Sequence, residues 1–99
     1  MNLEVVLLRG AEDDLQTAFD AYEDRAEGLG SEFILTVDGS LTSLSRFPQM
    51  APVYYQAIRR LVLRRFPHGG FYSLEGQRIL VHTVLDLRQD PKRIRRRLG

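Results

Sequence analysis

The sequence contains no cysteine, which removes both a disulfide framework and a thiolate nucleophile and fits a reducing compartment. It also lacks any apolar run approaching the roughly 18 residues that a membrane span requires. The mostly apolar stretch Leu3–Leu8 is interrupted by Glu4, is too short for a signal-peptide core and has no basic flank before it. These absences predict a soluble, cytoplasmic protein with no membrane partner. Internal repeats and low-complexity linkers are missing, and 99 residues suit one domain, 1–99, with one modest core. Basic residues are scarce in the first half and acidic ones in the second: residues 1–45 carry ten acidic and two basic side chains, residues 46–99 three acidic and twelve basic. Such asymmetry predicts a basic side that attracts an acidic partner or a nucleic-acid backbone.

What is present is a clear alternation of periodicities. Leu3–Leu8 reads as a short strand covered on both sides. Ala11, Leu15, Ala18, Phe19, Tyr22 and Ala26 recur at three- and four-residue spacing among acidic residues, which predicts an amphipathic helix. Gly28 and Gly30 interrupt it, and Phe33, Ile34, Val37, Leu41 and Leu44 mark a second helix stopped by Pro48. Gly39 and Ser40 lower helix propensity there, so a bend or break is expected. After the loop Pro48–Pro52, three strands follow in Ile58–Phe66, Phe71–Leu74 and Arg78–Leu87, joined by the turns Pro67–Gly70 and Glu75-Gly76. Asp90 as N-cap and Pro91 at the first helical position open a short basic helix through Leu98. The predicted architecture is α+β: an N-terminal strand, then a helical hairpin packed on one face of an antiparallel sheet whose last three strands form a meander, then a short C-terminal helix.

Period-two alternation assigns side chains to faces. Ile79, Val81, Thr83, Leu85 and Leu87 are expected to face the helices, and Arg78, Leu80, His82, Val84, Asp86 and Arg88 the open side. Arg60 and Arg64 are expected to join that open side, giving a basic face that is either solvated, with arginines pairing Glu75 or Asp86, or a binding groove. Ile94 and Leu98 alone would dock the last helix, so a frayed basic tail carrying Lys92, Arg93 and Arg96 is expected in the free protein. Tyr54 and Tyr55 point to different sides, one toward the core and one available to stack on a base. Neither histidine has a ligand set such as H-x-x-x-H, and the sequence predicts no metal and no cofactor. His82 and Asp86 would share a strand face about 13 Å apart, too far for a dyad. His82 reads first as a hydrogen-bonded sheet residue, and His68, beside two glycines, as part of a mobile turn that could carry function.

The stretch from Ile58 to Pro91 resembles the C-terminal sheet of the RelE/ParE toxin superfamily: Arg64, Arg65, Phe66 and Pro67, then Phe71 and Tyr72, then Val81, Val84, Leu85, Arg88, Asp90 and Pro91. Ala11, Asp14 and Leu15, Tyr22-Glu23 and Gly28-Leu29-Gly30 are similar to its N-terminal half. The resemblance implies the toxin of a type II toxin–antitoxin pair, acting in growth inhibition and plasmid stabilisation and forming a hetero-oligomer with a cognate antitoxin. It also tips the basic face toward a partner-binding groove of Arg60, Arg64, Arg78, Arg88, Lys92, Arg93 and Arg96. RelE-like members are ribosome-dependent mRNA endonucleases, whereas ParE-like members inhibit DNA gyrase. Arg88 matches a nuclease arginine, but the turn at His68, Gly69 and Gly70 lacks the arginine the nucleases carry, and no tyrosine or histidine follows Arg88. The ParE-like branch is therefore expected, with no confident catalytic residue. A nuclease reading would rest on Arg88, His68 and His82, and a third reading is a non-toxic binding module with the same fold.

Overall fold

The computed structural model describes residues 2–99 and has the expected α+β architecture. Strand β1 (Glu4–Leu7) leads into helix α1 (Arg9–Arg25) and helix α2 (Leu29–Arg46). Strands β2 (Val53–Tyr55), β3 (Ile58–Val62), β4 (His68–Glu75) and β5 (Arg78–Asp86) follow, and helix α3 (Pro91–Leu98) closes the chain. The sheet runs β1-β5-β4-β3-β2, antiparallel except that β1 lies parallel to β5, with Glu4 opposite Arg78 and Leu7 opposite Val81.

The two long helices cover one face. Ala11, Ala18 and Tyr22 of α1 and Phe33, Val37 and Leu44 of α2 bury against Tyr72, Ile79, Val81 and Val84 of the sheet. Contrary to the expectation of a break, α2 runs unbroken through Gly39 and Ser40, because Phe33, Val37 and Leu44 on either side of them are held in this core. The turn between the helices is built by Glu23, whose carboxylate accepts the N–H groups of Gly28 (3.1 Å) and Gly30 (2.8 Å) and so satisfies donors that the start of α2 leaves free. Gly28 adopts φ +86°, a conformation that favours glycine. At Gly30 the helices touch: a Cβ there would lie 2.7 Å from the Phe19 carbonyl oxygen.

Three differences from the sequence reading shape the sheet. The short edge strand β2 was not foreseen. Strand β3 ends at Val62 instead of Phe66, because the chain turns away with Arg65 at φ +69°. The third difference lies in β5. Phe71 sits opposite Thr83 while Tyr72 sits opposite Val81, so His82 is an extra residue, a β-bulge, in β5. The bulge reverses the alternation beyond it. Val84 turns to the helical core, while Leu85 joins Ile58, Phe71 and Ile94 in a second cluster on the opposite face, against which Leu87 also packs. The expected assignment of Val84, Asp86 and Arg88 to the open side and of Leu85 and Leu87 to the helices is therefore corrected.

The open face is itself partly closed. Ile94 is only 3% exposed, and with Leu98 it seats α3 on Ile58, Phe71 and Leu85. Asp90 caps the helix by accepting the Lys92 N–H at 2.8 Å. The expected frayed tail is replaced by a docked helix. The reason is a second tie that sequence spacing does not reveal: Arg97 pairs with Asp14 of α1 at 2.9 Å.

Candidate functional site

A cleft of about 360 Å³ opens where α1, the β4–β5 end of the sheet and α3 converge. Its walls carry Asp14, Tyr22 and Arg25 from α1, His68 at the start of β4, Asp86 and Arg88 at the end of β5, and Arg97 from α3. Asp86 and Arg88 reach it because the His82 bulge swings the end of β5 toward the helices. His68 lies opposite Asp86 in the strand register.

His68 is a strand residue, 8% exposed, and not part of a mobile turn. Its ring packs edge-on to Phe33, with centroids 5.0 Å apart, and its Nδ1 lies 3.3 Å from the Tyr22 hydroxyl. Burial pushes the His68 pKa below its usual value, against the opposing pull of Asp86, so the ring is neutral near pH 7. Burial, with help from Asp86, likewise raises the Tyr22 phenol, which stays protonated. Above them Asp86 accepts from Arg88 three times: from the backbone N–H at 2.8 Å, Nε at 3.1 Å and Nη2 at 2.7 Å. The side-chain bonds from Arg88 hold the Asp86 carboxyl down at about 2. Arg88 is thus engaged by a carboxylate, in the bidentate geometry that guanidinium favours. Arg25 lies over the Tyr22 ring, 5.7 Å from its centroid.

The other candidates are dispersed. His82 Nε2 bonds the Ser73 hydroxyl at 2.8 Å on the face away from the cleft, a structural role. Arg78 pairs with Glu4 at 3.9 Å at the β1 side of the sheet. Arg60 lies over the Tyr54 ring at 4.8 Å, and Tyr54 in turn packs on Phe71 in the cluster that seats α3, so Arg60 shares a face with Lys92, Arg93 and Arg96. Arg64 lies past the end of β3 and does not share that face. Together with Arg65 it borders a depression formed by Leu35, Met50, Leu61 and Val62 beside α2. The expected single groove of seven basic residues is therefore dispersed over four places: Arg88 in the cleft, Arg60 with Lys92, Arg93 and Arg96 on the α3 face, Arg64 at the depression, and Arg78 beside β1. Among the described residues no three His, Asp or Glu side chains gather as metal ligands, and no helix is long and apolar enough to cross a membrane.

Sequence reasoning missed Tyr22, Arg25 and Asp14 as cleft residues. Tyr22 and Asp14 sit in the amphipathic pattern of α1, where the one reads as core and the other as solvated charge. The depression was missed too, although Leu35, 71% exposed, is an apolar residue that falls off the buried stripe of α2 and could have signalled it.

No family model matches the sequence, and no curated protein is significantly similar to it. Solved structures are. The chromosomal ParDE toxin–antitoxin system from P. aeruginosa superposes with a TM-score of 0.78 at 18% identity, covering 87% of this chain and 97% of that one. The RelBE2 toxin–antitoxin complex from Mycobacterium tuberculosis gives 0.59 at 14% identity, covering 85% of this chain and 96% of that one. The chain therefore has the RelE/ParE toxin fold, nearer to the ParDE structure.

Proposed function

We propose that this protein is the toxin of a type II toxin–antitoxin pair, that it arrests growth by ParE-like inhibition of DNA gyrase, and that a cognate antitoxin neutralises it. The observation that carries this reading is the likeness to the ParDE structure over nearly all of that chain, at a TM-score of 0.78 against 0.59 for RelBE2. The site chemistry agrees. Cleaving RNA through its 2′-hydroxyl needs a proton acceptor and free cations at the phosphate. His82 is bound to Ser73, His68 is buried with Nδ1 against Tyr22, and Arg88 is bridged to Asp86. Binding is better served than turnover.

An antitoxin segment has a surface to meet. Leu35, Met50 and Val62 are each more than half exposed, at 71%, 53% and 55%, around one depression. Arg64 and Arg65 border it, and Arg65 also pairs with Glu32 at 3.6 Å. An apolar floor with a cationic rim suits an amphipathic segment that carries acidic residues.

The test is expression of the chain without its antitoxin, together with a supercoiling assay on purified gyrase. Arrest with DNA-damage signalling, intact mRNA and loss of supercoiling is the expected result. Cleavage of ribosome-bound mRNA would instead favour the endonuclease reading, for which the grouping of Tyr22, His68 and Arg88 in one cleft is the supporting observation. Unaffected growth and full supercoiling would leave a binding module.

A further inference from the structure

We infer that the outer face of α3, continued by Arg60, is a docking surface for the phosphate backbone of duplex DNA. Ile94 and Leu98 occupy the stripe of α3 that is seated on the sheet. Lys92 and Arg96, also four residues apart, lie on the opposite side, with Arg93 and Arg95 on the flanks. All four are exposed.

Two features, taken together, suit these cations to a polyanion. The first is that they are free. Arg65, Arg78, Arg88 and Arg97 each have a carboxylate partner, but among the described residues no acid reaches Lys92, Arg93, Arg95 or Arg96. The second is that they are held in place. The Asp90 cap, buried Ile94 and the Arg97–Asp14 pair fix α3 at its start, middle and end, so the four charges are presented on a rigid element.

The chemistry of the face selects the partner. Between Pro91 and the seated Leu98, no exposed position of α3 carries a large apolar side chain. A protein partner needs an apolar centre to its interface, and the Leu35 depression offers one where α3 does not. A phosphate backbone needs only cations, preferably guanidinium forks. Eight helical residues span about 12 Å, a length over which duplex DNA carries about seven phosphate charges. Arg60, stacked on Tyr54, extends the cationic surface across the sheet. The inference rests on the gyrase reading for its choice of duplex DNA, which is the polymer gyrase holds.

The experiment measures binding of the purified chain to a short labelled DNA duplex across a salt series, with the matching RNA duplex and poly-glutamate as competing probes. Binding to the DNA duplex is expected, with the logarithm of affinity falling against the logarithm of salt with a slope of about −3 to −4, as four contacts require. Lys92→Glu with Arg96→Glu should weaken binding by about a hundredfold, and Lys92→Ala with Arg96→Ala by about tenfold. Both pairs are exposed, so circular dichroism should be unchanged. Arg46→Glu, on α2, should bind as the parent does. The proposal is overturned by no duplex binding at low salt, by undiminished binding in both double variants, or by preference for RNA or poly-glutamate. Gyrase is absent from this assay. Failure of the parent protein to inhibit supercoiling would sink the gyrase reading alone, while no duplex binding by the parent protein with inhibition intact would sink only this surface.

Discussion

Asp14 of α1 and Arg97 of α3 meet at 2.9 Å across the mouth of the cleft, and the same Asp14 carboxylate accepts the Val84 N–H at 3.0 Å. That N–H lies past the end of β1, where β5 has no strand neighbour on that side. One side chain therefore joins the first long helix, an unpaired sheet edge and the last helix. Asp14→Ala should cost about 2 kcal/mol, the range for a part-buried hydrogen bond to a charged group. Asp14→Asn, which can still accept from Val84, should cost about half that. Denaturant midpoints measure the loss, and amide exchange should show Val84 and α3 opening first. An unchanged midpoint in the alanine variant would refute the role.

The buried His68 makes the fold sensitive to mild acid. Its folded pKa is lowered by burial, so the unfolded state binds the proton more readily. The contribution is whole above the unfolded value near 6.5 and is lost as pH falls through the lower folded value. Asp86 adds a second loss at lower pH, between its ordinary 3.8 and about 2, as protonation breaks its bonds to Arg88. Because Arg88 is largely exposed, solvent screening keeps that second loss small. Melting temperature should decline below about pH 6.5, and His68→Gln should flatten the first part of the decline while leaving the second. A parallel decline in the variant would contradict the assignment.

Two glycines in the helical hairpin should respond in opposite directions. Gly30→Ala places a methyl group 2.7 Å from the Phe19 carbonyl oxygen, backbone that cannot swing aside, and should destabilise by about 1–3 kcal/mol. Gly39→Ala meets nothing within 4 Å and should stabilise by about 0.5–1 kcal/mol through helix propensity. Thermal melts of the pair decide the matter, and a Gly30→Ala protein as stable as the parent would mean that the helices can separate freely there.

Leu35→Asp and Val62→Asp change exposed positions, so neither should lower the melting temperature by more than a degree or two. Each should weaken the cognate antitoxin by about 2 kcal/mol or more if the depression is the seat of its apolar anchor. Calorimetric titration measures this, and wild-type affinity in both variants would move the antitoxin elsewhere.

Periodicity carried the sequence reading as far as local pattern could. The stripe from Ala11 to Tyr22, the break at Gly28 and the cap at Asp90 are written in neighbouring residues, and the helices and the meander were legible from such local signals. What failed was whatever depends on a distant partner. The bulge at His82 exists because Phe71 and Tyr72 on another strand oppose Thr83 and Val81, and nothing in the run from Arg78 to Leu87 announces the extra residue. One residue out of register sends Asp86 and Arg88 to the opposite side. The cleft was illegible for the same reason, since Asp14, Tyr22, His68 and Arg97 come from three elements far apart in the chain. The overall assignment to a toxin-like fold was legible through resemblance, because that rests on the order of motifs and does not need their contacts.

The parallel pairing of β1 with β5 sets the timing of folding. Glu4 cannot find its place until Arg78 exists, and the Asp14–Arg97 tie waits longer still. During synthesis the helical hairpin emerges early, but its apolar side has no complete sheet to cover it until Arg78–Asp86 of β5 has been made. Until β5 has been made, the first strand of the chain has no neighbour to pair with, and the sheet cannot close over the helices.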